Sequence, residues 1–143
     1  MYRKRKMKDI IDLIGRILLS FIFLYEAYDS IFYFKETKAA MTAYGVDWNQ
    51  NLLLYASIFL LVLGGTLVLT GYRSALGAFL LVLYWIPMTF IVHSYWTYPE
   101  DAQRIQAILF TKNLAILGGL LIVCVNGSAK YSIKRLFATT KVK

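Results

Sequence analysis

Cysteine and histidine each occur once and proline twice in this sequence of 143 residues. A lone Cys124 excludes an intrachain disulfide and a thiolate-held iron–sulfur cluster, and reads as a small buried apolar side chain. A lone His93 excludes bis-histidine haem ligation. No methionine is well placed to assist it, Met88 standing on the same span and Met41 in a loop. Glycine-rich phosphate loops, nucleophile elbows and metal-ligand spacings are also missing, so no metal site and no catalytic residue are expected. Charge is missing over long stretches. Between Asp47 and Arg73 there is none, and between Arg73 and Glu100 only His93 can titrate. Both intervals exceed the roughly 20 residues that cross a hydrocarbon core about 30 Å thick.

What is present agrees. The chain is 59% hydrophobic with a mean hydropathy of +0.56, too apolar for a soluble domain of this length. Backbone groups in lipid must be satisfied internally, and the runs are too continuously apolar for barrel strands. The expected fold is therefore all-α, a multi-pass membrane protein built as a four-transmembrane-helix bundle. Its spans are placed at about 11–33, 52–70, 73–95 and 106–126, with an external loop at 34–51 and basic tails at 1–10 and 127–143. The first span is interrupted by Asp12, Arg16, Glu26 and Asp29. It is still read as a retained span and not a secretory leader: its apolar stretch is too long, and TKAA puts Lys38 where a small residue belongs. Pro87 is expected to kink the third span.

The basic residues set the orientation. Eleven lie in the amino-terminal tail, the turn at Arg73 and the carboxyl tail; three, Lys35, Lys38 and Arg104, lie in the other loops. The positive-inside rule then places both termini in the cytoplasm. The net charge of +8 follows from such tails and their contacts with anionic lipid, so a nucleic-acid partner is not expected.

Several polar residues fall inside the spans. With about 1.5 Å per residue, Glu26 and Lys112 lie roughly 6 Å to the outer side of the midplane, with Asn113 beside them. Asp29 and His93 lie further out, and Arg16 lies roughly 9 Å to the inner side as a structural charge. Intramembrane ionisable groups pair or face a wet cavity. The expectation is a Glu26–Lys112 ion pair in an outer polar pocket shared with Asp29, His93 and Asn113. The competing reading has Lys112 snorkelling to the headgroups and His93 sitting in an aromatic belt with Tyr95, Trp96 and Tyr98. Gly64, Gly65, Gly118 and Gly119 stand at similar depth in the inner half and are expected to let helices approach closely. The loop at 34–51 has an apolar side that fits either a short capping helix over the pocket or an interfacial segment.

The stretches GRILLSFIFL, LTGYRSALGAFLL, H-x-x-W at the end of the third span and LFTKNLAILGGLL in the fourth resemble the DoxX family, over roughly residues 13–125. The resemblance implies a four-helix membrane protein in which Arg16, His93, Lys112 and Asn113 occupy positions typical of the family. Two positions depart: Ser30 stands where a lysine is common, and Leu61 where an acidic residue often precedes Gly-Gly. Several family members are small subunits of quinol oxidase or thiosulfate:quinone oxidoreductase systems. By that resemblance this chain is expected in a bacterial cytoplasmic (inner) membrane, as a non-catalytic accessory subunit or anchor of a quinone-linked oxidoreductase. Its partners would be the bilayer, a redox subunit and further copies of itself. No cofactor is expected to be intrinsic; a quinone would be bound from the membrane, since electron-transfer chemistry belongs to cofactors. The alternative is a non-enzymatic lipid-binding or membrane-protein assembly factor.

Overall fold

Lipid offers a backbone no hydrogen bonds, so long apolar runs close their own. In a computed structural model that describes residues 2–127, with side chains from Met7 onward, the chain is helices and turns throughout that range. The elements are α1 (Tyr2–Phe32), α2 (Phe34–Ala43), α3 (Gln50–Thr70), α4 (Ser74–Val92), a 3₁₀ turn at Tyr95–Thr97, and α5 (Glu100–Asn126). Three stretches, 50–70, 74–97 and 100–126, are long and apolar enough to cross a membrane. The longest helix, α1, is kept out of that group by its charges.

α3 packs on α4, α4 on α5 and α1 on α3, while α1 and α5 touch only sparsely. The core is a column of Phe23, Leu61, Val68, Leu81, Trp85 and Leu120, with Phe23 edge-on to Trp85 at 5.0 Å between ring centroids. Around it the surface is apolar too: Leu18, Phe21, Phe59 and Ile122 are all exposed. A core and a shell that are both apolar suit a protein whose solvent is hydrocarbon.

The closest approach is between α3 and α4. A Cβ added at Gly64 would lie 2.9 Å from the Gly77 carbonyl oxygen, and one at Gly77 would lie 2.8 Å from the Gly64 carbonyl oxygen. The three-residue turn at 71–73 that permits this uses left-handed backbone at Gly71 (φ 67°) and Arg73 (φ 51°). Of the glycines expected to pack helices, Gly65 also has close company, 2.9 Å from a Leu24 methyl, whereas Gly119 has room, its nearest neighbour being a Leu19 methyl at 3.6 Å. Gly118 needs correcting: an added Cβ there meets nothing within 4 Å, because one residue of helix turns it about 100° away from Gly119. Gly118→Ala is therefore expected to leave assembly intact. The melting temperature of the purified protein should hold or rise, by no more than about 1 kcal/mol of added stability.

Helix lengths exceed the expected lipid-crossing stretches at two places. α5 starts at Glu100, where Pro99 precedes it and Glu100 and Asp101 fill the first turn, acids that a helix N-terminus favours. α1 begins at Tyr2, well before the span expected from residue 11. The segment expected as an external loop holds α2, a helix of 10 residues. It is tied down by Gln50, whose amide donates to Thr42 at 2.7 Å and to the Val46 carbonyl at 2.8 Å, and by a Phe34–Tyr55 ring contact at 5.2 Å. α4 continues through Pro87. The carboxyl tail expected to be basic, beyond Gly127, lies outside the described residues.

Candidate functional site

Polar side chains inside the bundle fall into two groups. At the end that carries the α3–α4 turn, Arg16 is 1% exposed. Its Nε donates to Asp12 Oδ2 at 2.9 Å, and its Nη1 donates to the carbonyl oxygens of Val68 at 3.3 Å and Leu69 at 3.5 Å. These are carbonyls of the last turn of α3, past the end of its regular ladder; the Val68 oxygen is shared with the Gly71 N–H at 3.2 Å. Ser20 Oγ in turn donates to the Arg16 carbonyl at 2.6 Å. Arg16 is thus a cap and counter-charge for a helix C-terminus. Cys124 is half-buried nearby, its Sγ 3.7 Å from the Ala75 carbonyl oxygen.

The second group lies toward His93. On α1 the buried side of the helix runs through Phe23, Ala27 and Ser30, spacings of four and three that share a face. Glu26 lies beside that face, half-buried. Its Oε1 accepts a hydrogen bond from the Tyr84 hydroxyl of α4 at 3.0 Å. Trp85 Nε1 donates to the main-chain oxygen of Asn113 at 3.0 Å, which fixes α5 against α4 at this level. Asn113 is 8% exposed and Thr89 2%, and Asn113 Nδ2 and Thr89 Oγ1 are buried with no partner among the described residues. His93, half-buried at the end of α4, meets Gln106 Oε1 through Nδ1 at 2.8 Å.

The expected Glu26–Lys112 pair does not form. Glu26 is turned to Tyr84, and no ion pair joins it to Lys112 among the described residues; the one between described groups is Arg16 with Asp12. The reason is azimuthal: α1 and α5 barely touch, and Lys112 stands exposed on the flank of α5 beside exposed Thr111, as a snorkelling lysine would. Asp29 is exposed as well, though it and His93 lie within electrostatic reach of Glu26. Of the five residues expected to share a pocket, the structure gathers Glu26, Asn113 and His93 around α4 and leaves Asp29 and Lys112 at the rim. Tyr84, Trp85, Thr89 and Gln106 were not foreseen. Tyr84 stands in a charge-free run and counts as apolar by composition, yet its depth beside Glu26 was available from the same 1.5 Å ruler.

These contacts separate two substitutions. Tyr84→Phe leaves a half-buried carboxyl without its donor, and unmade bonds to buried groups cost about 1–3 kcal/mol. Lys112→Gln removes no contact. Thermal melting in detergent is expected to fall for the first and stay unchanged for the second.

Beyond His93, a cavity of about 560 Å³ opens between α2, the end of α4, the 3₁₀ turn and the start of α5. Ala40 and Ala43 line one side, and Ser94, Thr97, Tyr98 and Gln106 the other.

Comparison with known proteins places this geometry in a family. The DoxX family model matches residues 11–94. Inner membrane protein YqjF of Escherichia coli is 30% identical over 132 residues, which cover 92% of this chain and 95% of that protein. Inner membrane protein YphA of the same organism is 26% identical over 128 residues, covering 90% and 91%. A Surfeit locus protein 4 homolog from Schizosaccharomyces pombe is 28% identical over 124 residues, 85% of this chain but 36% of that longer protein. No solved structure matches.

Proposed function

Because the chain belongs to the DoxX family of membrane proteins, we propose that it is a non-catalytic accessory subunit or anchor of a quinone-linked oxidoreductase in a bacterial cytoplasmic membrane. In this reading α1 is a fourth span, both termini are cytoplasmic, and the Glu26–Tyr84–Asn113 group lies in the outer half. Its E. coli relatives carry inner-membrane names, which supports the location.

The observation that carries the reading is the buried amide of Asn113. A donor enclosed without a partner is costly at this depth, and a carbonyl reaching it from the membrane satisfies it. Glu26 with Tyr84 supplies a carboxyl and a hydroxyl nearby, and Lys112 stands at the rim. With the Tyr84 hydrogen committed to Glu26, the free donor is the Asn113 amide, and a quinone ring, which is uncharged and lipid-soluble and bears carbonyl acceptors, fits it. When bound, it supplies the two-electron, two-proton chemistry that the side chains lack. Asn113 would hold one carbonyl, Glu26 and Tyr84 would orient the ring, and the Phe23–Trp85 contact beneath would close the site to water from the other end.

Native mass spectrometry of the tagged full chain from a mild detergent tests this. Retained quinone or a stoichiometric redox subunit is expected in the wild type, with quinone reduced about tenfold or more in Asn113→Leu. A bare oligomer carrying phospholipid alone would replace this reading with the non-enzymatic one, lipid binding or membrane-protein assembly. Reporter fusions after residue 143 and within 44–48 should report opposite sides of the membrane.

A further inference from the structure

The cavity beyond His93 is separate in chemistry from the Glu26 group, and the polar atoms on its wall say what it accepts. None of its lining side chains carries a full charge. A phosphate, carboxylate or ammonium entering it would lose hydration without gaining a counter-charge. The ligand is therefore neutral.

Its hydrogen-bonding sense follows from where the hydroxyl hydrogens already go. Thr97 Oγ1 donates to the Ser94 carbonyl at 2.8 Å, and the Tyr98 hydroxyl donates to the Val92 carbonyl at 2.9 Å. Ser94 Oγ then has Thr97 Oγ1 at 3.0 Å or the Ile91 carbonyl at 3.4 Å to donate to. With their hydrogens committed, the oxygens of Ser94 and Thr97 present lone pairs, while that of Tyr98 is shared with the neighbouring Tyr44 hydroxyl. Gln106 gives its Oε1 to His93, which leaves its amide hydrogens as the donors of the lining. The wall asks for a ligand with several O–H donors and an acceptor oxygen, which a quinone, an acceptor only, does not match. Opposite, Ala40 and Ala43 give a small apolar face beside Tyr44, and Tyr98 adds a second aromatic ring to the lining. An apolar face against a hydroxyl-accepting rim matches a sugar ring.

The position names the carrier. The cavity is framed by the end of the apolar stretch 74–97 and by the exposed aromatics Tyr95 and Trp96, which is headgroup depth for a membrane protein.

We propose that this cavity binds the uncharged glycosyl headgroup of a membrane lipid. The full chain is exchanged into a sugar-free polyoxyethylene detergent. It is then titrated separately with a monoglucosyl diacylglycerol, phosphatidylglycerol and phosphatidylcholine, and bound lipid is counted by native mass spectrometry. The glycolipid is expected to be retained about tenfold or more over either phospholipid. Ala43→Phe, which fills the cavity from the exposed face of α2, is expected to remove that preference without moving the melting temperature. Thr97→Val, which deletes one acceptor together with its bonds to Ser94 in the 3₁₀ turn and lies outside α4 and α5, is expected to weaken it about fivefold. Equal retention of all three lipids by the wild type overturns the proposal, as does undiminished preference in both variants. Methyl glucoside at millimolar concentration separates two supporting outcomes: displacement shows that the sugar alone is recognised, and retention shows that the lipid chains are needed to hold it there.

Discussion

Gly77→Leu is expected to leave almost no folded protein, and no other single substitution in the bundle should cost as much by packing alone. Adding side-chain atoms to a full core commonly costs about 1–3 kcal/mol, because neighbouring side chains can shift. At Gly77 the neighbours are not free to shift. A Cβ there would lie 2.7 Å from Leu67 Cβ, 2.8 Å from the Gly64 carbonyl oxygen and 3.1 Å from the Val68 nitrogen, two of them backbone atoms of α3. The only relief is for α3 and α4 to move apart, which opens the contact around Leu61, Val68 and Leu81 that forms much of the core. The loss should exceed about 3 kcal/mol, a large share of the 5–15 kcal/mol that a domain has in total. The measurement is the yield of monodisperse protein in detergent and its melting temperature. Gly118→Leu is the control, with the same residue types in the same membrane and open space around it. Equal melting of wild type and Gly77→Leu would mean that α3 and α4 do not approach as described.

The contrast between those two glycines shows what was legible in the sequence. Charge-free length reveals that a segment is a helix in lipid, and so the all-α membrane character could be read from the intervals around Asp47, Arg73 and Glu100. Depth can be read as well, at 1.5 Å per residue. Azimuth cannot: adjacent residues on a helix point about 100° apart, and which of them meets a neighbour depends on helices that the local pattern does not describe. Gly118 and Gly119 differ by that one step, as do Lys112 and Asn113, of which only Asn113 is buried. Glu26 and Lys112, expected to face each other, do not. Gly77 was overlooked because it is a single glycine in SALGAFLL, although a signal existed. It and Gly64 stand equally far, six residues, from the Thr70–Gly71 centre of the hairpin, and antiparallel helices joined by a short turn bring such positions together. α2 was obscured by mixed composition, its hold coming from Gln50 and Tyr55, residues of the next helix.

Arg16→Leu is the second substitution with a large expected effect, and it acts through charge where Gly77→Leu acts through volume. A helix ends with four carbonyls that its own N–H groups cannot reach, and the negative end of its dipole sits among them. In α3, two of those carbonyls, at Val68 and Leu69, receive Arg16 Nη1, and the positive charge is held against Asp12 at 2.9 Å. Leucine fills similar volume and keeps α1 helical. It strands the Asp12 carboxylate, which is 34% exposed, and takes the Arg16 donor from the carbonyls of Val68 and Leu69, leaving Val68 only the Gly71 N–H at 3.2 Å. Breaking a buried pair by removing one partner costs about 3–5 kcal/mol, and the loss should appear as a fall in melting temperature of the detergent-solubilised protein. Arg16→Lys keeps the charge but not the fork that serves Asp12 and α3 together, so it should recover only part of the difference. Asp12→Asn alone should be milder, because the carboxylate is partly solvated and exposed pairs contribute about 1 kcal/mol or less. The decisive comparison is the double substitution. If Asp12 is destabilising mainly once Arg16 is gone, Arg16→Leu with Asp12→Asn will melt above the sum of the two single losses, by a coupling of about 0.5–3 kcal/mol. Strict additivity would show that Arg16 stabilises the bundle through the α3 carbonyls and its other contacts, with the ion pair contributing nothing.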